Sequence, residues 1–449
     1  MFWLLLACTG GTGEPDTGDS AVDSDSPGLG DDEVLGSMRA WESLETGVAT
    51  GVGWADIDGD GYAELVVAYG NDIQQGPLVV YDNVDGELEE RASWQSVSKE
   101  YYGHLSIGDV NGDGLPDVAV SKFLGDTGFS DPGGIDVYLN IDGELEPTPS
   151  WQSEQRFFSF SCALGDVDND GDLDLAVAVG ETYYHEDSPA PSVVYFNDGT
   201  GHFGEAPGWT SGVLGHAFDV GWADMDGNGW LDLLMANQVS GHAIYLNSQG
   251  VLDEEPAWVA AGEASDFEGN SLDVGDVNGD GNLDLVVTDN NQISGLGTVR
   301  IWCGPDFEAC WEPAETVDYA SAVSLEDVDG DGRLDVAVGS WWGRAEVYFN
   351  SDLYPDHQAG WRSMEDAVIE GFAWEDVDGS DWVERTLTGE NLLAIPGRGR
   401  VLEVVGGVSA GGWVSGPGAL EVRYLEAGER DLVLSNWEYE YGNRIYGRP

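Results

Sequence analysis

The sequence predicts an all-β fold, a β-propeller built from four-stranded blades. Three observations support this prediction: an acidic loop that recurs at a period of about fifty residues, short apolar runs after each loop, and a Trp before most loops. The apolar runs are rich in β-branched and aromatic residues, and no 3.6-residue hydrophobic period persists through them. Strands are therefore expected in place of helices.

Six acidic loops share one pattern, with acidic or amide side chains at positions 1, 3 and 5, Gly at position 6 and a carboxylate at position 9. Such side chains converge on one point in a tight turn, and six to eight oxygens suit a hard cation such as Ca²⁺. We predict about six calcium sites, each with a backbone carbonyl near position 7 as a further ligand. The side-chain ligands are Asp56, Asp58, Asp60 and Glu64; Asp109, Asn111, Asp113 and Asp117; Asp166, Asp168, Asp170 and Asp174; Asp224, Asp226, Asn228 and Asp232; Asp276, Asn278, Asp280 and Asp284; and Asp327, Asp329, Asp331 and Asp335.

Two other interpretations of these loops are less favourable. An EF-hand needs a Glu at position 12 and flanking helices, but position 12 of the third loop is Val177, inside an apolar run. A hairpin turn that merely tolerates Asp would explain one copy. Six copies with the same internal spacing favour a metal, because four converging carboxylates without a cation would repel each other.

The C-terminal part of the chain carries two altered loops, which affect the number of blades. The segment from Asp376 has Ser380 at position 5 and Asp381 in place of Gly, and the segment from Arg423 retains only Gly428 and Asp431. We expect eight blades, or seven if these two segments share one blade. A strand near Trp41 is predicted to complete the last blade and so close the ring.

Charge and composition restrict the partners. The chain has 85 acidic and 16 basic residues, a formal charge of -69, which argues against nucleic acid or an anionic membrane surface. Because 41% of the residues are hydrophobic, including 18 Trp and 17 Tyr, a large core is nevertheless expected.

The N-terminal segment predicts export. Residues 1–8, MFWLLLAC, resemble a bacterial lipoprotein signal segment with Cys8 as the lipidated residue, although no Lys or Arg precedes the apolar run. Residues 9–34 are predicted to be a disordered acidic tether and residues 35–449 the propeller. We expect an outer-membrane or cell-surface protein held by its lipid, otherwise a secreted one, and a monomer.

Three further Cys fit an exported protein. Cys303 and Cys310 flank GPDFEA, a plausible hairpin end, and are predicted to form a disulfide. Cys162 lies in an apolar run and is expected to be a small buried residue.

These loops resemble the FG-GAP and VCBS-type calcium-binding repeats of integrin α-chain propellers and of many bacterial surface proteins, over about residues 35–449. The resemblance implies adhesion or ligand binding, here to a glycan or an extracellular protein, and some such relatives are lectins or polysaccharide lyases. Candidate ligand-binding residues lie on the face opposite the metal loops, where exposed aromatics suit stacking. They are Tyr183, Tyr184, Trp341, Trp342, Trp437 and Tyr439. Blade packing is the alternative role of these aromatics.

Catalysis is not expected. The GVSAG sequence at Gly407–Gly411 matches a nucleophile motif but is followed by GWVSGPG, which cannot form the helix that this motif requires. The alternative function is a polysaccharide lyase that uses a His base, with His104, His185 and His216 as candidates.

Overall fold

The computed structural model describes residues 35–39, 43–45, 47–72, 74–180, 189–262, 266–290, 297–329, 331–363, 367–374, 402–406, 421–425, 430–434 and 444–445. The predicted signal segment with Cys8, the tether, Trp41 and the altered loop at Asp376 lie outside the described residues.

Short strands make up the described chain, and it contains no helix long and apolar enough to cross a membrane. In chain order the strands are β1 (Leu35–Arg39), β2 (Ala49–Ala55), β3 (Glu64–Gly70), β4 (Gln75–Tyr81), β5 (Asn83–Val84), β6 (Glu87–Leu88), β7 (Trp94–Gln95), β8 (Tyr101–Gly108), β9 (Asp117–Leu124), β10 (Pro132–Tyr138), β11 (Asn140–Ile141), β12 (Glu144–Leu145), β13 (Trp151–Gln152), β14 (Cys162–Gly165), β15 (Asp174–Val177), β16 (Val193–Tyr195), β17 (Trp209–Thr210), β18 (His216–Ala223), β19 (Asp232–Gln238), β20 (Ala243–Tyr245), β21 (Trp258–Val259), β22 (Gly269–Gly275), β23 (Asp284–Asp289), β24 (Thr298–Cys303), β25 (Glu308–Trp311), β26 (Ala320–Glu326), β27 (Asp335–Gly343), β28 (Glu346–Tyr348), β29 (Trp361–Arg362), β30 (Ala367–Ala373), β31 (Leu402–Gly406), β32 (Glu421–Leu425), β33 (Arg430–Leu434) and β34 (Arg444–Ile445).

Six four-stranded antiparallel sheets form blades 1 to 6 of a β-propeller. From the innermost strand outwards they are β2-β3-β4-β7, β8-β9-β10-β13, β14-β15-β16-β17, β18-β19-β20-β21, β22-β23-β24-β25 and β26-β27-β28-β29. The second strand of each blade is covered on both faces by neighbouring blades, so its sequence is a continuous apolar run instead of an alternating one. ELVVAYG of β3, for example, is buried throughout.

The innermost strands stand side by side around the axis. In order, β2, β8, β14, β18, β22, β26 and β30 each contact the next, and β30 contacts β2. Gly is required where these strands approach closely: a Cβ at Gly51 would lie 2.6 Å from the carbonyl oxygen of Gly103. The prediction of an all-β propeller is therefore confirmed.

The prediction of eight blades is wrong for the described residues, which contain six complete blades and β30 as a further innermost strand. The physical reason is closure: β30 packs against both β26 and β2, so the ring of innermost strands is complete without another unit. The strand β1 pairs antiparallel with β32, in the sheet that also contains β30. The first described strand thus lies in one sheet with strands from the C-terminal part of the chain.

Aromatic contacts join one blade to the next. The Trp of an outermost strand meets the Tyr of the third strand in the following blade, at ring-centroid distances of 6.1 Å for Trp94–Tyr138 and 5.4 Å for Trp151–Tyr195. Trp209–Tyr245 and Trp311–Tyr348 repeat the contact. These Trp residues therefore pack between blades. In blade 5, Cys303 and Cys310 form a disulfide between β24 and β25, and Cys162 is free and buried.

Candidate metal loops and the opposite face

Each acidic loop connects the innermost strand of a blade to its second strand, so the six loops lie on one face of the propeller. The Gly at position 6 has a positive φ in every loop, between +88° at Gly229 and +99° at Gly171, a backbone conformation that favours Gly. Its N–H donates to the carboxylate at position 1, for example Gly229 to Asp224 Oδ2 at 2.7 Å. Each loop is therefore a tight turn with its own internal hydrogen bond, and Gly stands at the turn as the repeat predicts.

The carboxylate at position 9 is the buried member of each loop. One oxygen accepts the N–H of position 2, as in Met225 to Asp232 Oδ2 at 2.8 Å, and the other accepts an N–H from the end of the third strand, as in Asn247 to Asp232 Oδ1 at 2.7 Å. Burial is the largest influence on the pKa of these six groups and raises it in all of them. The pKa rises to about 8 for Glu64 and Asp335, about 7 for Asp117 and Asp174, and about 6 for Asp232 and Asp284.

Carboxylate oxygens converge in four loops. One oxygen from each of three acidic residues, at positions 1, 3 and 9, lies within 4.8 Å of the others. The groups are Asp56, Asp58 and Glu64; Asp166, Asp168 and Asp174; Asp224, Asp226 and Asp232; and Asp327, Asp329 and Asp335. The loops at Asp109 and Asp276 have Asn111 and Asn278 at position 3, whose amide oxygens take the place of one carboxylate.

Several of these oxygens are buried and have no hydrogen-bond partner among the described residues: Asp56 Oδ1, Asp168 Oδ1 and Asp327 Oδ1. A buried carboxylate oxygen without a donor is costly unless a cation lies beside it. The donor set is entirely oxygen, which suits Ca²⁺ or Mg²⁺ better than zinc or copper. These residues therefore fit a hard divalent cation.

An Asn at the end of the third strand joins four of the metal loops to the next blade. Asn247 Nδ2 donates to Leu231 O in its own blade at 2.9 Å and to Val167 O, position 2 of the loop in the preceding blade, at 2.7 Å. Asn140, Asn197 and Asn350 make the corresponding bonds to Ile57 O, Val110 O and Val277 O. The sequence shows the repeated Asn, but its link across blades depends on three-dimensional neighbours and was not predicted.

Trp341 and Trp342 lie at the end of β27 away from the metal loop, on the opposite face. Both are partly exposed. Trp342 contacts Tyr319 edge to face at a centroid distance of 5.3 Å and Trp341 at 6.0 Å. Tyr319, Trp341 and Trp342 form what we call the aromatic cluster; Tyr319 carried no repeat signal in the sequence. Trp342 has φ of +60° and Tyr319 of +57°, an uncommon conformation for bulky residues that is often found at functional sites.

Other candidates for this face have different outcomes. Tyr183, Tyr184, His185, Trp437 and Tyr439 lie outside the described residues. At the corresponding ends of the second strands in other blades, the side chains of Phe123, Gln238 and Asn290 are buried, so these three contribute to packing. Phe123 packs against Phe160 at a centroid distance of 4.8 Å.

Two of the three histidines considered as lyase bases lie among the described residues. His216 is buried. His104 Nδ1 lies 3.9 Å from Asp219 Oδ1 of blade 4, inside the ring of innermost strands. His185 and Gly407–Gly411 lie outside the described residues.

Comparison with known proteins identifies the repeats. Three segments match the family model of the FG-GAP-like repeat: residues 56–120, 124–177 and 224–287. Together they contain five of the six acidic loops, those that begin at Asp56, Asp109, Asp166, Asp224 and Asp276.

Curated relatives are integrin α chains. Integrin alpha-4 of Xenopus laevis is 28% identical over 169 residues, which are 34% of this chain and 16% of that protein. Integrin alpha-PS5 of Drosophila melanogaster is 32% identical over 170 residues, 33% of this chain and 16% of that protein. Among solved structures, a crystal structure of BBS1N in complex with ARL6DN, soaked with mercury, has 11% identity and a TM-score of 0.49, covering 92% of this chain and 98% of that chain. The chain thus matches a small part of the length of its curated relatives.

Proposed function

We propose that this β-propeller, in which three segments match the FG-GAP-like repeat and part of the chain is similar to integrin α chains, is a calcium-stabilised binding module. Its ligand, a glycan or an extracellular protein, docks on the face opposite the metal loops. The observation that carries this proposal is the division between the two faces. One presents convergent carboxylates, and the other presents the partly exposed aromatic cluster.

Calcium would be held by positions 1, 3, 5 and 9 of each loop. When bound, the ion supplies positive charge and several coordination positions, and so offsets the repulsion between the carboxylates. The chain itself supplies the closed turn through Gly at position 6 and the buried, doubly hydrogen-bonded carboxylate at position 9. Because Asn247 and its equivalents bond to these loops from the next blade, an ordered loop also supports the contact between blades.

The aromatic cluster favours a ligand with an apolar face and polar edges. Partly exposed indole and phenol rings stack on sugar rings or on peptide side chains while their polar atoms hydrogen-bond at the edge. The left-handed backbone at Trp342 costs about 1–2 kcal/mol for a bulky residue, and it positions this ring beside Tyr319.

An array of glycans and matrix proteins, probed in millimolar calcium, tests the binding function. We expect wild-type protein to bind one ligand class and Trp341→Ala/Trp342→Ala to lose at least tenfold in affinity, because the stacking surface is removed. Trp258→Ala is the matched control, since Trp258 is also partly exposed but lies in β21 and packs on Trp302 and Phe307. Full binding by the double variant, with an unchanged melting curve, would contradict the site.

Lipid anchoring at Cys8 is a separate part of the proposal. It is supported by LLAC at residues 5–8, and it would place the propeller at the cell surface, joined to its anchor by residues 9–34. Intact-mass analysis of the protein from a bacterial host should show a diacylglyceryl-type mass increase that Cys8→Ser abolishes. If wild-type protein lacks this mass increase, lipid anchoring at Cys8 is contradicted, and the proposed binding function is not affected.

A further inference from the structure

A direct hydrogen bond joins the metal loops of blades 3 and 4. We number the loops in chain order, so loop 3 is residues 166–174 and loop 4 is residues 224–232. Asn169 Nδ2, at position 4 of loop 3, donates to Gly229 O, at position 6 of loop 4, at 3.0 Å. Among the described residues, no such bond joins loop 1 to loop 2, loop 2 to loop 3 or loop 4 to loop 5. Loops 3 and 4 are thus a linked pair.

Asn169 departs from the sequence of the other loops, which all have Gly at position 4. The described ones have φ between +70° and +78°: Gly59, Gly112, Gly227 and Gly279. Asn169 keeps this left-handed backbone, with φ of +54°, which Asn tolerates better than most residues. The exchange of Gly for Asn therefore preserves the turn and adds a side-chain amide that reaches the next loop.

Each end of this hydrogen bond lies in a turn that a position 1 carboxylate closes. Asp170 N and Gly171 N donate to the two oxygens of Asp166, at 3.0 and 3.1 Å. Gly229 N donates to Asp224 Oδ2 at 2.7 Å. The amide can reach the carbonyl only while both turns keep this shape. Opening of either turn would therefore break the bond.

A turn of blade 4 fills the space between the two loops. A Cβ at Gly250, in the turn that follows β20, would lie 3.0 Å from Asp168 Cβ and 3.3 Å from Trp230 Cζ3. Asp168 is the position 3 ligand predicted for loop 3, and Trp230 stands at position 7 of loop 4. Asn247, just before this turn, bonds to both loops through its side chain and its backbone N–H. The two loops therefore pack as one unit.

We propose that cation binding in loop 3 and in loop 4 is positively coupled through Asn169, an inference that rests on the calcium binding proposed above. A cation in either loop draws its carboxylates together and so favours the closed turn. The bond from Asn169 to Gly229 then holds the other turn closed. A turn that is already closed binds its own cation more tightly, because less ordering remains to be completed. The coupling is reciprocal, since linkage between two binding sites acts equally in both directions.

The size of the coupling is limited by the hydrogen bond that carries it. Asn169 and Gly229 are both exposed. One hydrogen bond within a protein changes an equilibrium by a factor of about two to ten. We therefore expect loop 4 to bind its cation about two- to tenfold more tightly when loop 3 is filled.

Trp230 makes loop 4 separately observable. It is the only Trp in the six loops, and it stands at the position whose backbone carbonyl is a predicted ligand. Tb³⁺ is a hard cation that takes oxygen ligands as Ca²⁺ does, and an adjacent indole sensitises its luminescence. The part of the signal that Trp230→Phe abolishes therefore reports a cation in loop 4.

The experiment titrates the full chain with Tb³⁺ and follows this Trp230-dependent luminescence. Asn169→Gly should weaken binding in loop 4 about two- to tenfold, although it removes no predicted ligand and restores the Gly of the other loops. Asp170→Ala, which removes a ligand of loop 3, should also weaken loop 4, but should have no effect on it when Asn169→Gly is already present. Asp113→Ala, the same change in loop 2, is the matched control and should leave loop 4 unchanged.

The coupling is wrong if Asn169→Gly binds Tb³⁺ in loop 4 as wild type does. It is equally wrong if Asp170→Ala leaves loop 4 unchanged, weakens it no more than Asp113→Ala does, or still weakens it in the Asn169→Gly background. These outcomes leave the calcium sites in place, whereas wild-type protein without Trp230-dependent luminescence contradicts cation binding in loop 4 and the coupling together. If Asp170→Ala does not fold, the comparison of Asn169→Gly with wild type decides.

Discussion

At the scale of single residues, the fixed composition of the loop follows from its geometry. Gly at position 6 adopts a positive φ in all six loops, and the carboxylate at position 9 is buried and accepts two backbone N–H groups. Both roles were predictable, because tight turns and oxygen ligands leave few residue types to choose from. The pairing of Tyr319 with Trp342 was not predictable, because it joins residues that share no sequence period.

Gly229→Ala tests the turn directly. A Cβ at Gly229 would meet nothing within 4 Å, so the cost is the left-handed backbone alone, φ +88°. We expect a loss of about 1–2 kcal/mol in the free energy of unfolding, measured by denaturant titration in calcium. Gly371→Ala is the control, since a Cβ there also meets nothing and its φ lies outside the left-handed range. Equal stability losses for the two variants would refute the role of φ.

At the scale of elements, the blades were predicted from the sequence and the contacts between them only in part. Acidic loops, apolar runs and the Trp spacing indicated where each strand begins. Trp258 of β21 and Trp311 of β25 pack between blades as Trp94, Trp151 and Trp209 do. Their distances from the next acidic loop differ from the distance that those three share, so the sequence pattern did not include them. Phe123 has the strand periodicity of its neighbours, and only the fold shows that it is buried.

Asn247→Asp tests the link between a metal loop and the next blade. The substitution keeps the size of the side chain but removes the N–H groups that bond to Val167 O and Leu231 O. Because two buried carbonyls lose their donor, we expect a loss of about 2–4 kcal/mol in the free energy of unfolding, at about 1–2 kcal/mol for each. Gln95→Ser, at an exposed position of the outermost strand β7, should change stability by less than about 0.5 kcal/mol. No loss in Asn247→Asp would show that these bonds do not hold the blades together.

At the scale of the whole molecule, the number of blades was the main error of the sequence prediction. Repeats with intact loops specify their own blades, but the loops at Asp376 and Arg423 have lost the residues that mark a unit. Closure depends on how β30 fits between β26 and β2, a property of the assembled ring.

The raised pKa values of the position 9 carboxylates predict how chelated protein responds to pH. A carboxyl whose folded pKa is raised stabilises the fold below its unfolded pKa, and the stabilisation is lost as the pH rises through the folded value. With values from about 6 at Asp232 to about 8 at Asp335, the melting temperature in chelator should fall between pH 5 and pH 8. Saturating calcium should reduce this fall, because the ion favours the ionised carboxylates. A larger fall with calcium than without it would contradict the metal assignment.

The central claim is that divalent cations in the acidic loops hold the propeller together. With dissociation constants near 10⁻⁴ M and millimolar calcium, each site adds roughly 1.4 kcal/mol, and six sites add about 8 kcal/mol, which is comparable to the stability of a whole domain. The most direct measurement is the melting temperature at pH 7.5 in 1 mM calcium and again after chelation. The account predicts a large fall on chelation that added calcium reverses, and an unchanged melting curve would contradict it.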